Sequence, residues 1–317
     1  MSTKRMSVAN FNVVFFDNEG EKPLLEYFDS IVYPAFSSGI KKETGDSKYL
    51  IMDTSISVDK DGEYVFVGKI VKKTTLEIKS DIDEFGNLIE KDDTYSTAPY
   101  SMFLIYLRNH RMLYIENQKG SPSLKSFTST AKYILNEYVR RLNKKAKEEG
   151  GLESPIPILS VIGIPRREDI ESILKTVKSI NSLTLRFLPL NGDGDIDFGG
   201  MFNTVSKELR RATDAPKGEI VLKSPKNITG IANVLEKAQG TVEPIFKVTY
   251  PDKTKGTINN DVISESMQIS IIGDNIENNI PTIMTMGKEM KNISYVSETN
   301  KEIYEKNKNK IITLFPK

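Results

Sequence analysis

The densest apolar run of the chain, Met-Phe-Leu-Ile-Tyr-Leu at 102–107, is followed one turn later by a second, Met-Leu-Tyr-Ile, at 112–115. Short continuous apolar runs bounded by polar turns read as buried strands. The stretch therefore predicts a hairpin of strands at 102–107 and 112–116 around the turn Arg-Asn-His-Arg at 108–111. After Gly-Ser-Pro-Ser at 120–123 the period changes. Leu124, Phe127, Ala131, Ile134, Leu135, Tyr138 and Leu142 recur at intervals of three and four, which makes one apolar stripe of a long helix. Ser121 or Ser123 suits its N-cap, Pro122 its first turn, and Gly150-Gly151 its end.

Elsewhere the pattern is shorter-ranged. Residues 11–16 (FNVVFF) predict a buried strand, 23–36 a helix opened by Pro23, and 49–58 and 63–72 two strands joined by Asp-Lys-Asp-Gly. Residues 81–97 are acidic and turn-rich and read as a solvated excursion at a sheet edge. The run GGLESPIP at 150–157 is the best candidate domain boundary. Beyond it the pattern predicts strands at 158–164, 183–188 and 219–223, and helices at 166–180, 201–211 and 227–239. Residues 244–250 and 257–272 then pair as an antiparallel hairpin, and 311–315 is a terminal apolar run. The fold class that follows is α+β, with antiparallel-dominated mixed sheets and packed helices in two units, 1–150 and 155–317. The strand–helix–strand character of both units suits ferredoxin-like, split β-α-β modules.

Composition changes this picture mainly by exclusion. The chain of 317 residues carries 44 Lys+Arg against 43 Asp+Glu, a net charge of +1, so any attraction to nucleic acid must be local. It has no cysteine and one histidine, which removes disulfides, thiolate metal sites, a cysteine nucleophile and multi-histidine centres. The N-terminus lacks the apolar core of a signal peptide, and no window is apolar enough to span a bilayer. A cytoplasmic protein without a membrane partner is the expectation.

Three candidate chemistries remain. Asn-Gly-Asp-Gly-Asp-Ile-Asp-Phe at 191–198 matches the middle of a calcium loop, with Asn191, Asp193 and Asp197 at ligand positions. Pro189 and Gly200 fall where its first and last ligands belong, so a looser Mg²⁺ or Ca²⁺ site and an Asp/Gly turn capping the 201–211 helix stand beside it. The same Asp193, Asp195 and Asp197, following a strand, could instead hold Mg²⁺ for phosphodiester cleavage. Nucleic-acid binding is the third reading. Arg108, His110 and Arg111 project from the hairpin tip, and Arg140, Arg141, Lys144, Lys145 and Lys147 cluster on the helix, with Tyr106 or Tyr114 available to stack. The plainer reading of both basic groups is solvated surface. Gly-Ser-Pro-Ser before the helix could cradle a phosphate, but it lacks the lysine and spacing of a P-loop.

The order of PYSMFLIYLRNHRMLYIENQKGSPSLKSF, IPILSVIGIPRREDI, LTLRFLPLNGDGD and ITGIANVLEKAQGTVEPIFKVTYPDKTKG resembles a family of uncharacterised bacterial proteins from mobile elements and phage-defence loci. The resemblance covers residues 100–272 and carries no active-site motif. It implies an intracellular protein acting in defence, with a partner from a neighbouring gene. Together these observations favour a non-enzymatic factor that binds nucleic acid or a phage component. The alternatives are a Mg²⁺-dependent nuclease using the 193–197 aspartates and a structural subunit of a larger complex.

Overall fold

The computed structural model describes residues 2–18, 20–192, 208–210, 212–213, 215–264, 266–273 and 275–315. The strand β1 (Ser2–Asp17) begins well before the 11–16 apolar run, and the large sheet is assembled on it. Along one edge β1 pairs with β14 (Ser266–Ile271) and then with β9 (Ile156–Gly163). Along the other it pairs with β8 (Arg111–Glu116) and then β2 (Gly20–Pro23). From β8 the sheet continues through β7 (Tyr100–Tyr106), β5 (Tyr64–Ile82), β4 (Ser47–Val58) and β3 (Lys41–Thr44). All described pairings between these strands are antiparallel, and the sheet curls into a half-barrel. Since β9 begins at the end of the 150–157 link and β14 lies beyond it, the large sheet draws strands from both sides of it.

The hairpin predicted at 102–116 forms, and its continuous apolar run has a physical cause. Both faces of these strands are covered, so both sets of alternating side chains are buried. Phe103, Ile105, Met112 and Tyr114 enter one core, and Met102, Leu104, Tyr106, Leu113 and Ile115 enter the other. The first core is closed by α2 (Leu124–Glu149) and by residues 24–37. That segment runs from a 3₁₀ turn (Leu24–Tyr27) through a π turn (Phe28–Val32) into α1 (Tyr33–Ser37). Phe103 packs on Phe36, Phe66 and Phe127 with ring centroids 6.1, 5.5 and 5.1 Å away. Gly68 makes room for it, since a Cβ there would lie 2.5 Å from Phe103 Cζ.

Helix α2 starts as predicted on Ser123, whose Oγ accepts from the Ser126 N–H at 3.2 Å. Pro122 precedes that cap rather than filling the first turn. The helix ends at Gly150, which adopts φ 68°, the left-handed conformation that costs glycine least. Among the described residues no helix is long and apolar enough to cross a membrane.

A second sheet, ordered β11 (Gly218–Lys223), β10 (Ser179–Phe187), β12 (Val242–Thr249), β13 (Lys255–Asn259), packs a third core against α3 (Arg167–Leu174), α4 (Ile228–Ala238) and α5 (Asn260–Ile263). The α+β class with antiparallel sheets is therefore present, but among the described residues the strands are not ordered as a split β-α-β module. The strand that would open it, β9, is drawn into the large sheet by eight pairs with β1. The helix expected at 166–180 stops at Leu174 because Ser179 already pairs with Thr249. Residues 257–272 do not continue the β12 hairpin as one strand. The chain turns through α5 and returns to β1 as β14. The C-terminal α6 (Ile280–Glu289) and α7 (Lys291–Ser294) cover the second face of the large sheet, and α8 (Glu298–Ile312) buries Tyr304 and Ile311 in the first core.

The acidic excursion at 81–97 is not a loop. β5 runs on past the sheet and pairs with β6 (Leu88–Thr97) as a two-stranded arm. Its alternation is masked in the sequence because both of its faces carry charged side chains.

Candidate nucleic-acid interface

The hairpin tip does not project its basic side chains. His110 is fully buried in the left-handed region at φ 60°, its N–H donating to the Tyr106 carbonyl at 2.7 Å and its carbonyl accepting from Phe11 N–H at 2.9 Å. Arg111 is also buried, and its Nη1 donates to the Gln239 carbonyl at 2.6 Å beyond the end of α4. Asn109 Nδ2 donates to the carbonyls of Ile293 and Tyr295 at 2.6 and 2.8 Å. The turn is thus a socket that ties the large sheet to the second sheet and to the C-terminal helices. Tyr106 and Tyr114 are buried too, so neither offers a stacking face.

Arg108 stays partly exposed, but its charge is used. It pairs with Glu63, which also receives Lys288. Lys288, from α6, meets Asp59 Oδ2 at 2.9 Å and Asp61 Oδ2 at 3.4 Å. Asp61, Glu63, Arg108 and Lys288 line a cleft of about 360 Å³. With Asp59 buried, three carboxylates surround one ammonium, and the cluster fastens the β4–β5 turn to α6. Among the described residues no group of three or more acidic or histidine side chains is set to hold a metal ion. Asp193, Asp195 and Asp197 lie outside the described residues. Asn191, from the same string, is fully buried with Oδ1 accepting from Leu24 N–H at 2.5 Å and its own N–H donating to Asn12 Oδ1 at 2.7 Å. That carbonyl oxygen serves the backbone.

The helical cluster divides differently. At about 100° per residue, Lys125, Lys132, Arg140, Lys144 and Lys147 fall within roughly 120° of one another, directly opposite the buried stripe. All are exposed, Tyr133 lies exposed among them, and no carboxylate shares the arc. Arg140 and Lys144 therefore belong to one face, while Arg141 and Lys145 point away from it. The stripe runs 22 residues from first to last cation, about 33 Å of helix. Beside it a shallow groove of about 370 Å³ opens between Lys42 of β3 and the 132–140 stretch of α2.

Glu137 flanks the stripe and partly neutralises it. Its carboxylate accepts from Arg140 Nε and Nη2 and from Arg141 Nε, each at 2.8 Å, and these bonds hold its pKa down at about 2. Lys145 approaches Glu149 at 3.8 Å, and Lys147 approaches Glu153 at 3.3 Å. Lys125, Lys132 and Lys42 escape a reading that looks for runs of adjacent charges. The signal that finds the two helical lysines is a cation spacing of seven and eight, two turns of helix, on the side opposite the apolar stripe.

A family model described as a domain of unknown function (DUF4747) matches residues 4–244, about three quarters of the chain. The chain belongs to the DUF4747 family. No curated protein matches it. The DUF4747 region contains the whole of α2, the buried hairpin tip and the β5–β6 arm, and it ends inside β12, so Lys288 lies beyond it.

Proposed function

We propose that this DUF4747 protein is a cytoplasmic, non-enzymatic factor that binds the phosphate backbone of nucleic acid along the outer face of α2. The observation that carries the reading is the stripe of five exposed cations with Tyr133 among them and no carboxylate in the same arc. Rows of Lys and Arg neutralise phosphates, and each contact releases a condensed counterion, so affinity falls steeply with salt. Backbone contacts of this kind position a protein without reading sequence. The setting in phage defence or on a mobile element rests on the resemblance of residues 100–272 to proteins from such loci.

A gel shift with single- and double-stranded DNA and RNA at low and moderate salt tests it. Binding is expected at low salt, with a loss in the Lys132→Gln/Arg140→Gln/Lys144→Gln variant. No shift with any probe at the lowest salt sinks the reading. Cleavage in Mg²⁺ that disappears in Asp193→Ala/Asp195→Ala/Asp197→Ala replaces it with the nuclease reading.

A further inference from the structure

We propose that the β5–β6 arm is a dimerisation element, and that it packs antiparallel against the same arm of a second copy of this chain. Beyond Lys73, β5 has β6 as its one described strand partner, and the paired segment from Thr74 to Ile82 extends roughly 30 Å at about 3.4 Å per residue. A two-stranded ribbon is at best marginally stable alone in water and needs a covering layer. This one is built to receive such a layer on one face.

The register sets Leu76 opposite Tyr95 and Ile82 opposite Leu88, with Ile78 between them on the same face. Leu76 and Tyr95 make an apolar patch near the root, and Ile82 and Leu88 make another near the tip. Phe85 stands at the turn, 82% exposed, and Leu88 is 77% exposed. These are two separate apolar patches, with Asp93 opposite Ile78 and Glu90 opposite Ser80 between them on the same face, and exposed apolar patches rimmed by polar groups mark interaction surfaces.

Charge points to a second copy as the occupant. The distal part of the arm carries Asp81, Asp83, Glu84, Glu90, Asp92 and Asp93 against Lys79 and Lys91. This acidity disfavours nucleic acid. The root is basic, with Lys72 and Lys73 on β5, Lys48 opposite Lys73 and itself paired with Glu43 at 2.8 Å, and Lys42 opposite Tyr49, which in turn pairs with Lys72. A two-fold axis through the middle of the arm brings each acidic tip to the partner's basic root. It also brings each tip patch, Ile82 and Leu88, over the partner's root patch, Leu76 and Tyr95. One surface is then complementary to itself, as a two-fold interface requires. At the crossing Asp93 and Glu90 share the face with Ile78, and Lys91, 2.8 Å from Asp81 and 3.9 Å from Asp93, offsets part of that charge.

Light scattering during size-exclusion chromatography of the full chain, over a wide dilution series, tests the proposal. Twice the 35.7 kDa chain mass is expected at high concentration. Lys72→Glu/Lys73→Glu and Asp83→Lys/Glu84→Lys are each expected to be monomeric alone and to form a mixed dimer when combined. A wild-type monomer throughout overturns the proposal, as does a dimer unchanged by either pair of substitutions. Independently, the cysteine-free chain allows a single thiol to be placed on the arm. With a short bis-maleimide, Ile78→Cys, near the axis, is expected to cross-link to a dimer and Glu77→Cys, on the opposite face, is not. Equal yields from the two positions, or none from Ile78→Cys, contradict the arrangement. Weaker nucleic-acid binding by the arm variants in a chain that stays monomeric would assign the arm to nucleic acid instead.

Discussion

Replacing Glu137 by glutamine removes the carboxylate that bonds to Arg140 of the α2 stripe while keeping its shape. Arg140 and Arg141 now share that carboxylate through three hydrogen bonds of 2.8 Å. Exposed pairs at helical spacing are worth about 0.3–0.5 kcal/mol each, so the variant is expected to fold, losing less than about 1 kcal/mol. The stripe gains one positive charge. If that charge contacts phosphate, log K gains about 0.9 per decade of dilution from 1 M salt, which is roughly eightfold tighter binding at 0.1 M. Fluorescence anisotropy with a labelled duplex, titrated between about 50 and 200 mM salt, reads both the affinity and a slope steeper by about 0.9. Unchanged or weaker binding by Glu137→Gln, with the fold intact by circular dichroism, would refute the claim that the α2 face meets phosphate.

Other expectations follow from the same contacts. Because Glu137 titrates near 2, the Glu137→Gln gain is expected to be the same at pH 5 and pH 8; the ion pair contributes above the ordinary carboxylate range near 4.3 and fades as pH falls through about 2. A gain that vanishes at pH 5 would show that the carboxylate is not held by its arginines. Lys288→Met leaves Asp59, Asp61 and Glu63 without their shared ammonium and is expected to cost about 3–5 kcal/mol in urea unfolding. It is not expected to change nucleic-acid affinity in the folded protein, and a change there would move the interface to the 360 Å³ cleft. Gly68→Ala forces a Cβ to 2.5 Å from Phe103 and is expected to lower stability by about 1–3 kcal/mol, read by the same unfolding; a neutral result would mean that the aromatic cluster shifts freely.

Local signals in the sequence proved reliable where local physics decides. The 102–116 hairpin, the Ser123 cap and the Gly150 stop of α2 are all legible because caps and apolar periods act within a few residues. What could not be read depends on distant segments. β14 returns to β1 with Ile271 opposite Ser2, a pairing that no neighbouring pattern encodes. His110 and Arg111 look exposed because turn residues usually are. They are buried by segments more than a hundred residues away, including Gln239 and the stretch around Ile293. Of the residues first marked for nucleic acid, Arg140, Lys144 and Lys147 lie on the α2 stripe of the proposed interface. Arg108 is paired with Glu63, and Arg141 and Lys145 point off the stripe. The arm was hidden for a third reason, since a ribbon with charge on both faces has no clean alternation to detect.

The most direct test of α2 as a phosphate-binding face is the slope of log affinity against log salt for the wild-type chain on a mixed-sequence duplex. Five engaged cations give a slope of about −4.5, with most of it lost when Lys125, Lys132, Arg140, Lys144 and Lys147 are changed to glutamine. A slope near zero, or a steep slope that survives those substitutions, would contradict it.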